Sequence, residues 1–452
     1  MDNESLLEKF EFVEKQLALD SNQCEQVYWW DLFRYIAFNT YAGRNIEADE
    51  TKPSVVKIFK AAIGSVADIC SIALSRPSII LFATHKRLDL SSQSVDPFTH
   101  FLHQDLRRSG LSSAIVYRPG RSLRNPPYGA ESLAALSMIT QPLAFLGVRL
   151  GSPNVGLSQL IDRLNSRLGK SVLEEKAVRR GVAGFKITRG LYRVLFRLIK
   201  PEVLVLTVST GFEAIIDAAK SLGITVFELQ HGSPGRGKLN YDYSSGIQKT
   251  YIPDQFLATG PGFHCEKYLP SRISQVINFG SPFLHAMDTA SQGIDEIYDF
   301  TFISQPDVDL ELLESVEQYL LSENEAGRAP SIAIRLHPAY GLSDARCSSV
   351  FKLLGVVLVN PNDESVYMTI AKSRAVVGAY STVLFEALYF GKPVYTISKD
   401  TNLISRTMIM SGWWMDWLGK EATPAKRNGD YPEFYAYYDS ENKLFKQHIE
   451  LQ

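Results

Sequence analysis

Three apolar-rich runs in this chain stop abruptly at polar, glycine- or proline-marked clusters. Residues 224–229 lead into Gln230-His231-Gly232. Residues 331–334 lead into Arg335-Leu336-His337-Pro338. Residues 375–378 lead into a turn carrying Ser381, Thr382 and Glu386. Short runs rich in branched apolar residues suit strands buried on both faces, which occur almost only in parallel α/β sheets. Helix-length segments lie between them, such as 212–222, closed by Gly223, and 310–322. Such strand–helix–strand units restrict the chain to right-handed crossovers. In open parallel sheets ligands bind outside the carboxyl ends of the strands. The three polar clusters therefore predict one cleft holding a phosphate-bearing ligand.

A chain of 452 residues is long enough for two or three domains. Runs at 78–83, 114–117, 203–207 and 224–229 predict a first Rossmann-like domain over residues 76–245. Runs from 255 to 397 predict a second over residues 246–405. The stretch 232–250 is rich in Gly, Ser, Pro and Tyr and reads as the crossing between domains. Residues 1–75 read as a helical extension with an aromatic packing face at 27–38. Residues 406–452 read as an aromatic tail that packs back on the N-terminal domain.

Composition narrows the class. Lys and Arg total 47 against 49 Asp and Glu, a formal net charge of -2 that gives no support to a dedicated nucleic-acid binder. The mean conceals a basic stretch at 163–200, where eleven Lys or Arg face only Glu174 and Glu175. It predicts a helix with Lys186, Arg189, Arg193, Arg197 and Lys200 on one face and Leu191, Val194, Leu195 and Leu198 turned inward. Such a face is either simply solvated or a contact with anionic membrane. The four cysteines have neither metal-ligand nor disulfide-framework spacing. The start lacks a signal-peptide pattern, and 61–82 is too interrupted to span a bilayer. The expected location is cytoplasmic, with the inner membrane face as an option.

Ser381 and Thr382 can cap a helix whose free N–H groups receive a phosphate. His337 can donate to a phosphate oxygen as a leaving group develops, and Arg335 can do the same or pair with a carboxylate. Ser304 and Gln305 sit in a strand-end turn before Pro306, which either touches the base or phosphate of a nucleotide donor or is plain turn chemistry. Gly232 lets a ligand approach the backbone beside Gln230, and His231 or Glu213 can serve as base for an acceptor hydroxyl. Arg236 and Lys238 place cations on the following loop, which lacks P-loop spacing. Asp307-Val308-Asp309 reads as a helix start rather than a metal motif, so no metal and no cofactor are expected.

With these residues in view, the chain resembles GT-B bacterial polysaccharide glycosyltransferases that use CMP-activated sugars such as Kdo or sialic-acid-like sugars. The likeness rests on 302–306, on Arg335 to Pro338 and on Ser381-Thr382, and spans roughly residues 200–400. It implies that His337, Ser381 and Thr382 contact the donor phosphate and ribose, and that Glu386 holds a ribose hydroxyl. Gln230-His231-Gly232 is also similar to a segment of teichoic-acid-type polymerases, where the histidine acts as base. The expectation is metal-independent transfer from a nucleotide sugar, with CMP-Kdo favoured, to a surface glycan or lipid-linked acceptor. A CDP-polyol phosphotransferase, a UDP- or GDP-sugar transferase, a UDP-GlcNAc 2-epimerase-like enzyme and a non-catalytic assembly module are the alternatives.

Overall fold

A computed structural model describes residues 3–44, 55–90, 93–119, 125–150, 154–232, 234–305, 308–337, 355–397, 403–417 and 434–450. The chain forms two units. One comprises Met1–Pro282 with Ala436–Gln452, the other Phe283–Tyr435.

The first unit contains α1 (Asn3–Gln16), α2 (Trp29–Tyr41), α3 (Val55–Ser75), β1 (Ile79–Ala83), β2 (Leu88–Leu90), β3 (Gln93–Val95), α4 (Pro97–Arg108), β4 (Ser113–Tyr117) and β5 (Ala130–Ser132). It continues with α5 (Ala134–Leu150), α6 (Val155–Leu168), α7 (Glu175–Ile199), β6 (Val203–Leu206), α8 (Glu213–Lys220), β7 (Thr225–Leu229), β8 (Gln255–Ala258) and β9 (Gln275–Asn278). Seven strands form a parallel sheet in the order β5-β4-β1-β6-β7-β8-β9, while β2 and β3 make a separate antiparallel hairpin. Alternation along a strand sends successive side chains to opposite faces. Ile80, Phe82, Leu204 and Leu206 pack with Tyr192, Leu195 and Ile215 of the helices on one side. Ile79, Leu81, Val203 and Val205 pack with Leu102 and Leu106 of α4 on the other.

The second unit contains α9 (Pro282–Ser291), β10 (Tyr298–Ile303), α10 (Asp309–Glu325), β11 (Ile332–Arg335), β12 (Val357–Val359), α11 (Val366–Ala371), β13 (Ser373–Gly378), α12 (Thr382–Tyr389), β14 (Val394–Thr396), α13 (Leu403–Met410) and β15 (Met415–Asp416). Its strands are all parallel, in the order β12-β11-β10-β13-β14-β15. Two parallel α/β units in one chain match the expected fold class.

The expected division at residue 245 is corrected. β8 pairs with β7 in parallel, Leu229 opposite Leu257, and β9 extends the same sheet. The stretch 232–250 is therefore a crossover inside the first unit. Residues 1–75 are no separate extension either: α1 and α2 share a core with α6, α7, Leu239 and Tyr251. The tail divides. Trp417 sits among Phe300, Phe302, Tyr319 and Tyr395 in the second unit. Tyr438 and Phe445, the latter on α14 (Lys443–Glu450), pack on Phe279 in the first.

The inward face of α7 also differs from expectation. Val178, Val182, Phe185, Tyr192, Leu195, Phe196 and Ile199 are buried, whereas Val194 and Leu198 are exposed. Lys186 pairs with Glu25 and Arg189 with Asp217, so part of the cationic face is neutralised. Among the described residues no helix is long and apolar enough to cross a membrane.

Gly280, after β9, has φ +85°, and a Cβ there would lie 2.8 Å from the backbone N and Cα of Tyr438. Both the left-handed backbone and the contact demand glycine. Gly280→Ala is expected to cost about 2–3 kcal/mol in urea unfolding. A loss under about 0.5 kcal/mol, the usual scale of a neutral surface change, would show that the tail yields without penalty.

Candidate functional site

In the second sheet β10 is first in sequence. β11 and β12 continue to one side of it, and β13, β14 and β15 to the other. The direction reverses between β10 and β13, the point where parallel sheets leave a crevice for ligands. Gln305 follows β10, and its side-chain oxygen accepts the Tyr380 N–H at 3.1 Å, joining the two strand ends. Ser381 is the N-cap of α12 and accepts the Val383 N–H at 3.3 Å. The first turn of α12 thus opens at the reversal, with Thr382 exposed at its first position. Backbone donors and the helix dipole at such a terminus favour an anion.

Neighbouring residues take different roles. Ser304 is buried, and its N–H donates to the Arg335 carbonyl at 3.0 Å. Arg335 is buried at the end of β11. Its guanidinium reaches the Asn360 carbonyl and the Thr369 hydroxyl, each at 3.4 Å, so it braces β11 against the following segment. His337 lies two residues beyond, half-buried in the turn after β11, while Pro338 lies outside the described residues. Glu386 is deeper in α12 and accepts a hydrogen bond from Tyr367. Burial first, then this carboxylate, holds the Tyr367 phenol well above its ordinary value.

In the first sheet the reversal falls between β1 and β6. Thr84 follows β1 and is fastened by Asp96, which accepts its N–H at 2.7 Å and its hydroxyl at 2.5 Å while capping α4. Ser209, Gly211 and Glu213 follow β6, and Gln230 and His231 follow β7. His231 is half-buried, and its Nδ1 lies 2.5 Å from the Tyr241 hydroxyl. Burial, then the nearby Lys86 ammonium, push its imidazole down to about 4, against a hydrogen bond to the Thr207 backbone. The ring is neutral at physiological pH and holds a lone pair rather than a charge.

The first unit also holds a buried ionic cluster. Glu213 accepts the Gly211 N–H at 3.0 Å and lies 3.6 Å from the fully buried Lys249 ammonium. Burial alone pulls Lys249 down, but Tyr243, Glu213, Asp31 and Glu228 outweigh it and hold the lysine above its ordinary value. Glu228, buried near the end of β7, is raised to about 7 by desolvation, against hydrogen bonds from Ser209 and the attraction of Lys249. Asp31 of α2 is raised to about 6, again by burial, while accepting the Thr250 and Tyr251 N–H groups.

The sequence reading placed function on Glu213 and His231, which do lie at neighbouring strand ends. It missed Glu228, Asp31 and Lys249. The available signal was an acid inside the strand 225–229 and a lysine two residues before an apolar pair, Tyr251-Ile252.

Three other expected residues are spent on structure. Gln230 is buried; its amide accepts the Thr259 N–H at 2.8 Å and donates to the Gly232 carbonyl at 2.9 Å. Gly232 itself lies in this tied turn, half-buried. Arg236, expected to offer its charge to an acceptor or phosphate, is tied to acids of its own unit. It makes a two-pronged contact with Glu11 at 2.6 and 2.7 Å and also meets Asp242 at 3.4 Å. Asp242, fully buried, accepts the Gly237 N–H and the Ser244 hydroxyl and so shapes the loop from inside. Lys238 alone of this group is exposed.

No protein-family model matches the chain, and no curated protein matches its sequence. Solved structures with a similar fold include the UDP-GlcNAc 2-epimerase from Methanocaldococcus jannaschii, 12% identical, covering 82% of this chain and 99% of that one with a TM-score of 0.47. They also include MurG of Acinetobacter baumannii, at 9% identity, 82% and 90% coverage and a TM-score of 0.39. A third is the wall teichoic acid polymerase TagF, at 12% identity, 77% and 80% coverage and a TM-score of 0.35. Identities and TM-scores this low assign no activity to this chain.

Proposed function

We propose that this chain is a nucleotide-sugar enzyme that transfers the sugar, without a metal, to a surface glycan or lipid-linked acceptor. The observation that carries the reading is the α12 terminus, capped by Ser381 and opening at the strand reversal beside Gln305. Its amides would receive the donor phosphate. His337 would donate to the leaving phosphate as charge develops, and Thr382 and Glu386 would face the ribose. On the first unit Glu213 is committed to Lys249, so His231 would serve as base there, exchanging the Tyr241 hydroxyl at its Nδ1 for that of the acceptor. A CMP-linked sugar such as CMP-Kdo is the donor favoured by the sequence resemblance. Membrane contact is proposed through Val194 and Leu198 with Arg197 and Lys200 around them on the outer side of α7. The enzyme would then work at the cytoplasmic membrane face.

The test is a thermal-shift panel of CMP, CDP, UMP, UDP, GDP and ADP on the parent and on His337→Ala. CMP is expected to raise the parent midpoint by mass action, and the variant to need at least about tenfold more CMP for the same shift. A preference for UDP, with free sugar released from UDP-GlcNAc when no acceptor is present, would replace this reading with an epimerase. Indifference to all six nucleotides would end the donor reading.

A further inference from the structure

We infer that the first unit binds an amphiphilic anion, a hydrocarbon chain ending in a phosphate, in the cavity between α2, α5, α7 and the turn that opens α8. The cavity measures about 580 Å³, and among the described residues its lining belongs to this unit. That volume lies within the roughly 300–1,000 Å³ usual for small-ligand sites. Leu32, Phe33, Ile36, Ala144 and Phe185 supply apolar wall.

The space exists because α7 turns small side chains toward it. Ala177, Gly181, Gly184 and Thr188 recur every three or four residues and all line the cavity. Gly181 has a packing reason: a Cβ there would strike the Phe33 ring at 2.4 Å. Gly184 has none. A Cβ there would meet Ala144 at 3.9 Å and Thr140 at 4.0 Å, ordinary contact distances, so the packing would accept alanine and a larger side chain would project into the cavity. Glycine in the middle of a helix costs about 0.5–1 kcal/mol against alanine. Its presence at Gly184 keeps room that the packing itself does not require.

Charge at the same cavity gives a second, independent indication. Arg118 lines it, donating to the Gly211 carbonyl at 2.7 Å with its guanidinium over the Phe212 ring. Arg180 lines it too, exposed, with its guanidinium over the Phe145 ring at 5.5 Å. Neither guanidinium is paired with a carboxylate among the described residues. Of the two acids in the lining, Glu213 is committed to Lys249, and Glu174 is exposed just before α7. Two guanidinium forks beside an apolar chamber match a phosphate head on a hydrocarbon chain. A free sugar would leave the apolar wall unused, and a neutral lipid would leave the arginines unused.

The inference is independent of the donor reading, since it concerns binding without any nucleotide. It is tested on the full chain by calorimetric titration with decyl phosphate below its micelle concentration, beside decanol and inorganic phosphate. Decyl phosphate is expected to bind at least tenfold tighter than either fragment. Arg180→Gln, at an exposed site, should weaken it at least about fivefold with the melting midpoint unchanged. Gly184→Phe should abolish it by filling the chamber, and Ala177→Met does the same duty if the phenylalanine variant fails to fold. Equal affinity for decanol and decyl phosphate would overturn the inference, as would decyl phosphate binding that survives Arg180→Gln and the filling variant unchanged. A parent protein that binds none of the three also overturns it, and leaves the donor reading standing.

Discussion

Lys249→Met is expected to destabilise the first unit by about 3–5 kcal/mol at pH 8, with most of the loss recovered at pH 5. The substitution keeps an unbranched chain of similar length and removes only the charge. Left behind are Glu213 at 3.6 Å and the buried Glu228 and Asp31, which then have no cation among them. An unpaired buried carboxylate either stays charged at a high desolvation cost or takes up a proton. Folding would therefore bind more protons than the unfolded chain does. Stability of that kind is present below the unfolded carboxyl range and is lost as pH rises through the raised folded values.

The parent is expected to carry the same sign in weaker form. Glu228, raised to about 7, and Asp31, raised to about 6, favour the fold at low pH, and their contribution fades as pH rises from the ordinary carboxyl range through those values. His231, lowered to about 4, acts oppositely: its contribution is lost as pH falls from its ordinary 6.5 toward 4. Urea unfolding at pH 5 and pH 8 separates these effects. The Lys249→Met penalty should shrink at pH 5, and Glu213→Gln added to Lys249→Met should restore part of the stability at pH 8. A penalty that is the same at both pH values, or smaller than about 1 kcal/mol, would mean that the cluster is not held by the lysine charge.

This cluster also explains where the sequence misleads. The stretch 232–250 has the composition of a flexible crossing, and loops usually run over the surface because their polar groups need water. Here the loop's polar groups are met from inside. Asp242 turns its backbone, and Arg34, buried on α2 and paired with Glu14 at 2.7 Å, donates to the Asp242 carbonyl at 2.9 Å. A long-range ion pair of that kind leaves no local pattern, so Arg236 reads as a free cation until Glu11, 225 positions away, is placed beside it. The strands, by contrast, are legible because burial on both faces is a local demand written into each run. Ser381 is legible for the same reason, since capping depends on the two residues that follow it. The phase of α7 is not, because glycines and a threonine occupy inward positions where a hydrophobic pattern expects leucine.

Thr382→Glu is expected to separate stability from activity. Thr382 is exposed at the first position of α12, and Ser381 remains as the cap. A carboxylate in the first helical turn interacts favourably with the dipole, by about 0.3–1 kcal/mol, so the melting midpoint should hold or rise slightly. The same carboxylate would occupy the terminus at which the proposed reading puts the donor phosphate. It would repel the ground state and more strongly the leaving phosphate, whose charge grows in the transition state. Loss of one such stabilising site costs roughly 10²–10³ in turnover, or about 3–4 kcal/mol, and that is the expected fall. Thr382→Gln is the matched control, of the same length as glutamate without its charge; it loses what the threonine gives the ribose, but should turn over at least about tenfold faster than Thr382→Glu. Turnover of the nucleotide sugar selected by the thermal-shift panel is the measurement, with the nucleotide's midpoint shift as a second readout. A glutamate variant that turns over like the glutamine variant and keeps its nucleotide shift would remove the phosphate from the α12 terminus, and with it the observation on which the function is proposed.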